Sequence, residues 1–153
     1  MAHPSDIEVK ARQVELATFY LEDALFGMDI LRIQEINKNM ERTKVPHAPE
    51  YVLGIINLRG RIVTIIDLGR KLGLLPTRLS EENRNIIVDC QDELTGLFVD
   101  RIADVVSVDG GKILPPPSNV RGAQSRFFEG VFKTGQRLIA ILNVEEVLKV
   151  EEY

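Results

Sequence analysis

The stretch Tyr51–Leu74, YVLGIINLRGRIVTIIDLGRKLGL, decides the fold of this chain. Its two aliphatic, β-branched runs flank a short polar segment in which Gly60 can adopt a positive φ angle. This pattern predicts a β-hairpin that is buried on at least one side. Asp67 then predicts the N-cap of a short helix that ends at Gly73. A stiff hairpin of this kind displays Arg59 on a tight turn, which favours recognition over catalysis.

An internal repeat extends this pattern to the rest of the chain. Residues 51–72 align without a gap on residues 127–148, and the strand-turn-strand pattern of residues 16–28 resembles that of residues 86–99. The first alignment matches Gly54 with Gly130, Arg61 with Arg137, Ile65 with Ile141, Asp67 with Asn143 and Leu72 with Leu148. Because an isolated hairpin is marginally stable in water, the duplication predicts a mainly β fold of two small barrels, each of about five short strands.

The segments around the central hairpin predict further short strands. Strands are expected at residues 14–21, 24–28, 40–45, 85–90, 94–99, 127–133 and 137–142. Residues 76–83 form a polar connector, which is the expected boundary between the halves. Asn143 and Glu146 stand at capping-box spacing and predict a last helix at the C-terminal end.

Two more helical segments are expected, each opened by an aspartate. Asp29 is expected to cap a short helix in which Ile33 and Ile36 lie on one face and Glu35 points outward. Asp100 is expected to open a second helical turn in the same way.

Composition limits the class of protein. The formal net charge of −4 argues against broad nucleic-acid binding, which needs a basic surface. No apolar run reaches the length of a membrane span, so no insertion into the membrane is expected. The polar N-terminus does not resemble a signal peptide, and the single cysteine, Cys90, cannot form an internal disulfide. These features predict a cytoplasmic protein.

Catalytic motifs are poorly represented. His3 lies in the polar N-terminal stretch and His47 in a segment flanked by prolines, and neither has cysteine or acidic neighbours at metal-ligand spacing. Cys90 has no nearby histidine, which favours a packing role over that of a nucleophile. The glycines of residues 109–111 indicate a turn and not a phosphate loop. We therefore expect no enzymatic activity, no metal and no cofactor.

Several motifs resemble the CheW family of bacterial chemotaxis coupling proteins. The main one is GIINLRGRIVTIIDL at residues 54–68, and others lie at residues 26–36, 45–52, 97–108 and 137–148, with the proline run at 115–117. Their order and their coverage of nearly the whole chain make the resemblance more specific than one motif would. One departure is Thr64, where the family usually has proline; threonine is well suited to a strand.

The resemblance implies a fold of two SH3-like five-stranded β-barrel subdomains packed side by side, with short helices and a C-terminal helix. The expected division makes residues 1–153 a single CheW-like domain and residues 1–12 a flexible leader. Residues 22–82 would form the first barrel, and residues 13–21 with 83–153 the second barrel and the C-terminal helix. The first strand and the last helix would tie the barrels together.

The resemblance also implies a function and partners. A protein of this family acts as a non-catalytic adaptor between the histidine kinase CheA and the cytoplasmic tip of a methyl-accepting chemoreceptor, and is recruited to receptor arrays at the membrane. One alternative is a coupling protein of similar type for another output, such as pili-based motility or development. Another is a small β-barrel enzyme or ligand-binding protein.

The family motif assigns a receptor contact to specific positions of this chain. The candidates are Arg59, Gly54, Gly60, Ile33, Glu35, Ile36, Val105 and Val108. Arg59 is the strongest of them, because it lies in a basic region that also contains Arg61, Arg70, Lys71 and Arg78. Core packing is the favoured interpretation of Ile36. Both valines would face Ile33 and Glu35 across the groove between the subdomains, and they are equally compatible with core packing. No kinase-binding residue can be assigned from the sequence.

Overall fold

Strands dominate the computed structural model, which describes residues 12–149. They are β1 (Gln13–Leu21), β2 (Ala24–Asp29), β3 (Ile33–Lys38), β4 (Val52–Leu58), β5 (Arg61–Asp67), β6 (Arg84–Cys90), β7 (Glu93–Val99), β8 (Arg101–Asp109), β9 (Asn119–Val120), β10 (Ala123–Gln124), β11 (Phe128–Thr134) and β12 (Arg137–Leu142). The helices are α1 (Leu68–Lys71) and α2 (Val144–Leu148), and 3-10 turns lie at Ile30–Arg32, Gly110–Lys112 and Ser125–Phe127. The predicted mainly β fold with short helices is confirmed.

The strands form two five-stranded sheets and one short ribbon. The first sheet has the order β3-β6-β7-β5-β4, and the second has the order β11-β12-β2-β1-β8. In each sheet one pair of neighbours is parallel, β5 with β7 and β12 with β2, and the other pairs are antiparallel. Each sheet therefore combines strands from both halves of the chain.

This exchange corrects the predicted division into subdomains. The hairpin β1–β2 belongs to the second sheet, and the hairpin β6–β7 belongs to the first. The first barrel is thus built from residues 33–99, and the second from residues 13–29 and 101–142. The prediction places residues 24–29 in the first barrel and residues 84–99 in the second, because it groups each segment with those next to it in sequence. Backbone pairing over a long sequence distance decides the arrangement instead.

The two sheets repeat the same local geometry, as the sequence alignment predicts. Gly54 lies opposite Ile65 across a β-bulge, and Gly130 lies opposite Ile141 across an equivalent bulge. The amide of Asp67 donates to the carbonyl of Tyr51 at 2.7 Å, and the matching bond from residue 143 to residue 127 measures 2.8 Å. The hairpin and the residue that caps the following helix therefore form one structural unit. It occurs twice, in residues 51–67 and in residues 127–143.

Three apolar clusters stabilise the fold. One lies in the first barrel around Ile65 and Phe98, and a second lies in the other barrel around Leu16 and Ile141. The largest joins both sheets and contains two stacked phenylalanine pairs formed by Phe19, Phe26 and Phe128, with ring centroids 6.0 and 6.1 Å apart. This shared cluster holds the barrels together, because burial of apolar surface is the main stabilising term.

Three predicted local elements are wrong. Asp29 does cap a helical turn, accepting a hydrogen bond from the amide of Leu31 at 3.0 Å, but the turn ends after three residues and Ile33–Lys38 is a strand. Asp100 precedes strand β8 and no helical turn. Residues 40–45 contribute a single bridge, between Thr43 and Ile55, where a strand was expected. In the first two cases pairing with a distant strand overrides the local helical pattern.

The cap of α2 gives a first test of the helix assignments. The side chain of Asn143 accepts a hydrogen bond from the amide of Glu146 at 3.2 Å. Replacing Asn143 with Ala removes this bond, and we expect a loss of about 1 kcal/mol of unfolding free energy, the usual value for an N-cap asparagine. Urea unfolding followed by circular dichroism measures the loss. A change below about 0.3 kcal/mol would contradict the capping role, since exchanging the cap for glycine already costs a few tenths.

Candidate functional site

Arg59 and Gly60 form the two-residue turn between β4 and β5. Both residues have positive φ angles, 53° for Arg59 and 85° for Gly60. Two positive φ angles define a type I′ turn, whose twist matches that of the flanking strands. The side chain of Asn57 accepts a hydrogen bond from the amide of Gly60 at 2.8 Å and fixes the turn. The prediction that Gly60 supplies positive φ is confirmed, and Arg59 adds a second such residue.

The backbone of Arg59 carries a conformational cost that its counterpart avoids. In the repeated hairpin β11–β12 the equivalent position is Gly135, with a φ angle of 60°. Glycine adopts this region freely, whereas an L-residue with a long side chain is uncommon there. Five other non-glycine residues between residues 12 and 149 share a positive φ angle, so the contact that the Arg59 side chain makes distinguishes it further.

The guanidinium of Arg59 reaches strand β3. It donates to the carboxylate of Glu35 and forms an ion pair, although the Arg59 side chain remains 72% exposed. Glu35 is 30% exposed and lies beside Ile36, which is 40% exposed on the opposite face of the strand. The prediction had these faces reversed, with Glu35 outward and Ile36 favoured as core. Ile33 is partly buried and packs against the shared cluster.

Gly54 has a structural reason to be glycine. A Cβ atom at this position would lie 2.6 Å from the carbonyl oxygen of Thr43, and the φ angle of 147° is unfavourable for other residues. The close approach permits two backbone hydrogen bonds between Thr43 and Ile55, of 2.9 and 2.8 Å. A Cβ atom at Gly130 would be equally close, 2.6 Å from the carbonyl oxygen of Leu114. Gly54 thus shapes the backbone behind the hairpin.

The two valines of β8 differ in their surroundings. Val105 is 55% exposed and lies on the edge strand of the second sheet. Val108 is buried and belongs to the cluster inside the second barrel. Val105 is therefore available to a partner, whereas Val108 has the core position that the sequence left as an alternative.

Ile62 and Leu31 are among the exposed apolar residues that the sequence analysis missed. Ile62 follows the Arg59 turn on β5 and is more than half exposed, and Leu31 is exposed in the turn before β3. Strand alternation was the signal for Ile62, because Val63 and Ile65 face the core of the first barrel and Ile62 alternates with them. Leu31 carried no such signal, since the segment was interpreted as one helix with residues 33–36.

A cluster of charges lies where the turn before β3 meets α2. Arg32 donates to the carboxylate of Glu145, and this hydrogen bond holds the pKa of Glu145 below its ordinary value. Burial raises the pKa of the nearby Glu129, and the negative charges of Glu145 and Asp29 raise it further. The turn that leads into the first barrel is thus held against the helix of the second.

The predicted basic region does not form one surface. Arg59 reaches Glu35, and Arg61 donates to the carbonyl of residue 92 at 3.3 Å. Arg70 lies 3.8 Å from the carboxylates of Glu50 and of Asp67. Lys71 is buried, with its ammonium 4.2 Å from the centre of the Tyr51 ring. Arg59 and Arg61 therefore contact other parts of the chain than Arg70 and Lys71, which line one cleft together.

Within residues 12–149, no group of three or more His, Cys, Asp or Glu side chains could hold a metal ion. No helix in the same range is both long and apolar enough to cross a membrane. What the described residues offer is a rigid pair of β-sheets with a displayed arginine and exposed apolar side chains. These features define a class of protein, a scaffold that acts through surface contacts.

Comparison with known proteins identifies the family. Residues 15–152 match the family model described as CheW-like domain. The chain is 35% identical to the chemotaxis protein CheW of Helicobacter pylori over 131 residues, which cover 86% of this chain and 79% of the relative. It is 31% identical to the chemotaxis protein CheW of Treponema pallidum over 148 residues, covering 94% and 87%.

A solved structure agrees with these relatives. The crystal structure of the scaffolding protein TtCheW from Thermoanaerobacter tengcongensis has a TM-score of 0.84 and 35% sequence identity, and it covers 91% of this chain and 90% of that chain. The chain belongs to the CheW family of chemotaxis coupling proteins. It is a non-catalytic adaptor, as the sequence predicts. Neither alternative function gains support from these comparisons.

Proposed function

We propose that this chain couples methyl-accepting chemoreceptors to the histidine kinase CheA, in the cytoplasm and at receptor arrays. The observation that carries the proposal is the ion pair between Arg59 and Glu35. It brings together the two polar residues that match the family's receptor-contact motif, although one lies in the β4–β5 turn and the other on strand β3. The two residues then act as one recognition element.

The receptor contact combines this charged element with exposed apolar residues. Arg59 and Glu35 provide directional hydrogen bonds on one face of β3. A partner that also reaches the opposite face of β3 and the edge strand β8 gains apolar contact area from Ile36 and Val105. A helical receptor tip can use such a surface in a helix-in-groove mode, in which apolar anchors give affinity and charges fix the register. Ile33, Gly54, Gly60 and Val108 support the surface from within, since they pack in the core or shape the backbone.

The kinase needs a second surface, so that both partners bind at once. We assign the regulatory domain of CheA to a barrel end away from the Arg59 turn. The coupling mechanism requires no chemistry in the adaptor. Receptor states that differ in their contact with the adaptor shift the equilibrium between kinase states, and the shift cannot exceed the difference in contact free energy.

Reconstitution tests this function. We expect that a receptor cytoplasmic fragment recruits CheA to the pellet in a sedimentation assay only when this chain is present. Kinase autophosphorylation should then become sensitive to the signalling state of the receptor. The proposal would be rejected if the receptor fragment and CheA sedimented together without this chain. It would also be rejected if this chain bound neither partner on its own.

A further inference from the structure

Strand β3 can pair with β6 in two registers, which differ in where Glu35 points. In the structure, which has the bulged register, a β-bulge separates Ile33 from Glu35. Beyond the bulge, Asn37 lies opposite Asn85. The regular register would continue the pairing of Ile33 without a bulge and would place Ile36 opposite Asn85. Because neighbouring residues of a strand face opposite sides of the sheet, the regular register would exchange the faces of Glu35 and Ile36.

Two contributions to stability favour the regular register. Ile36 is 40% exposed in the bulged register, and the regular register would turn it to the side of β6 that carries Ile87, in the core of the first barrel. Burial of more isoleucine surface is favourable. The regular register would also restore the hydrogen-bond ladder that the bulge interrupts. A specific interaction must therefore oppose it.

The buried amide of Asn85 supplies that interaction. Asn85 is fully buried, and its Cβ lies 3.7 Å from the position that a Cβ atom at Gly96 would take, where the end of the Ile87 side chain also lies. The Nδ2 atom of Asn85 donates to Oδ1 of Asn37 at 3.3 Å and to the carbonyl oxygen of Lys38 at 3.4 Å. In the regular register an isoleucine would face this amide instead, and a buried amide that loses its partner is costly.

The two amides are poorly suited to a purely stabilising role. Among the described residues, Nδ2 of Asn37 and Oδ1 of Asn85 have no hydrogen-bond partner, although both atoms are buried. An apolar pair of similar shape would be as stable or more stable. A single buried asparagine can select the register of packed helices at a cost in stability, and the same principle applies to a pair of strands.

We propose that Asn85 is a positioning residue of the receptor contact, because its pairing with Asn37 selects the bulged register and thereby turns Glu35 toward Arg59. The ion pair between Glu35 and Arg59 depends on this choice, since the regular register moves the carboxylate to the opposite face of β3. The inference rests on the proposed function where it concerns receptor binding, whereas the register itself is measured independently of any partner.

Nuclear magnetic resonance of the full chain measures the register, because cross-strand nuclear Overhauser contacts show which residues lie opposite each other. In the parent we expect contacts between residues 37 and 85. The variant Asn85→Leu keeps the branching of the side chain and removes its amide, and it should move these contacts to residues 36 and 85. Its unfolding midpoint should stay at or above that of the parent. Its affinity for a receptor cytoplasmic fragment should fall roughly tens-fold or more, as when a charge pair loses one partner.

A reciprocal exchange distinguishes register selection from a general structural role. The double variant Ile36→Asn with Asn37→Ile should adopt the regular register by itself, since that register places its asparagine opposite Asn85. Adding Asn85→Leu to the double variant should restore the bulged register, because the moved isoleucine then faces the leucine in the barrel. An amide that only supports the fold would not produce this reversal.

Each result decides the proposal. Contacts between residues 37 and 85 that persist in Asn85→Leu would overturn it, and so would unfolding of that variant. A shifted register with unchanged receptor affinity would overturn the positioning role in the contact. If the register shifts as expected but the parent binds no receptor fragment, Asn85 still selects the register and the proposed function fails.

Discussion

We expect the replacement of Arg59 with Glu to abolish the proposed binding to a receptor tip and to leave the protein folded. The Arg59 side chain is largely exposed and its ion pair with Glu35 lies at the surface, where such pairs contribute about 0–1 kcal/mol. Its loss therefore changes stability little. Reversing the charge at a desolvated contact is more severe, since truncating one partner of such a pair costs about 2–5 kcal/mol. We expect affinity to fall by roughly tens- to thousands-fold, as measured by calorimetry with a receptor fragment.

Two variants separate the charge from the turn. Arg59→Gly reproduces the residue of the equivalent hairpin, where Gly135 has a φ angle of 60°. It should fold at least as stably as the parent and still lose receptor binding. Lys133→Glu makes the same charge change on the other hairpin and should keep binding. Unchanged affinity in Arg59→Glu would show that the turn is not the recognition surface, and unfolding would show that Arg59 is structural.

The reciprocal exchange distinguishes a direct contact from an indirect one. The double variant Glu35→Arg with Arg59→Glu keeps an ion pair between strand β3 and the turn. If Arg59 only positions β3, this variant recovers receptor binding. Our proposal assigns the guanidinium itself to the receptor, so we expect binding to remain lost.

Truncating Ile65 or Ile141 to Ala costs roughly 2–5 kcal/mol of unfolding free energy, the range for large aliphatic side chains in a core. Ile65 is fully buried in the first barrel and Ile141 is nearly so in the second, in clusters that share no residue. Each lies opposite a glycine of the neighbouring parallel strand, Gly96 and Gly27 respectively. The two sites are equivalent, so we expect similar costs.

Chemical denaturation measures both variants against a neighbouring control. Ile62→Ala removes an exposed isoleucine from the same strand as Ile65 and should cost about 0.5 kcal/mol or less. Losses of that small size at Ile65 or Ile141 would mean that the strand faces are assigned incorrectly. A large loss at only one of them would contradict the equivalence of the two barrels.

The sequence predicted those features that local residues determine. The hairpins at residues 52–67 and 128–142 follow from β-branched runs around a glycine, and both helix caps, Asp67 and Asn143, were predicted from the following segments. The same local signals explain why Arg59 was recognised as a displayed residue. The residues that determine a turn or a helix cap lie next to one another in the chain, so a sequence pattern is enough to predict them.

The failures occur at strands whose partners are distant in sequence. Strand β3 pairs with β6, some 50 residues later, and β8 pairs with β1, some 90 residues earlier. Each follows an aspartate, and that local signal predicted a helical turn. Because side chains alternate along a strand, the wrong element type also reversed the faces of Glu35 and Ile36. The receptor-contact residues therefore stay a prediction, and the structure corrects which of Glu35 and Ile36 is the more exposed.

The exchange of hairpins between the sheets has a consequence for synthesis on the ribosome. Neither barrel can close from the first half of the chain. Strands β3–β5 need β6–β7 to complete the first sheet, and β1–β2 need β8, β11 and β12 to complete the second. The barrel that forms first during translation is therefore the one built from residues 33–99. The hairpin β1–β2 can form early, but its sheet stays incomplete until β12, which ends at residue 142, has left the exit tunnel. The apolar faces of β1 and β2 are then exposed to chaperones for most of the elongation time.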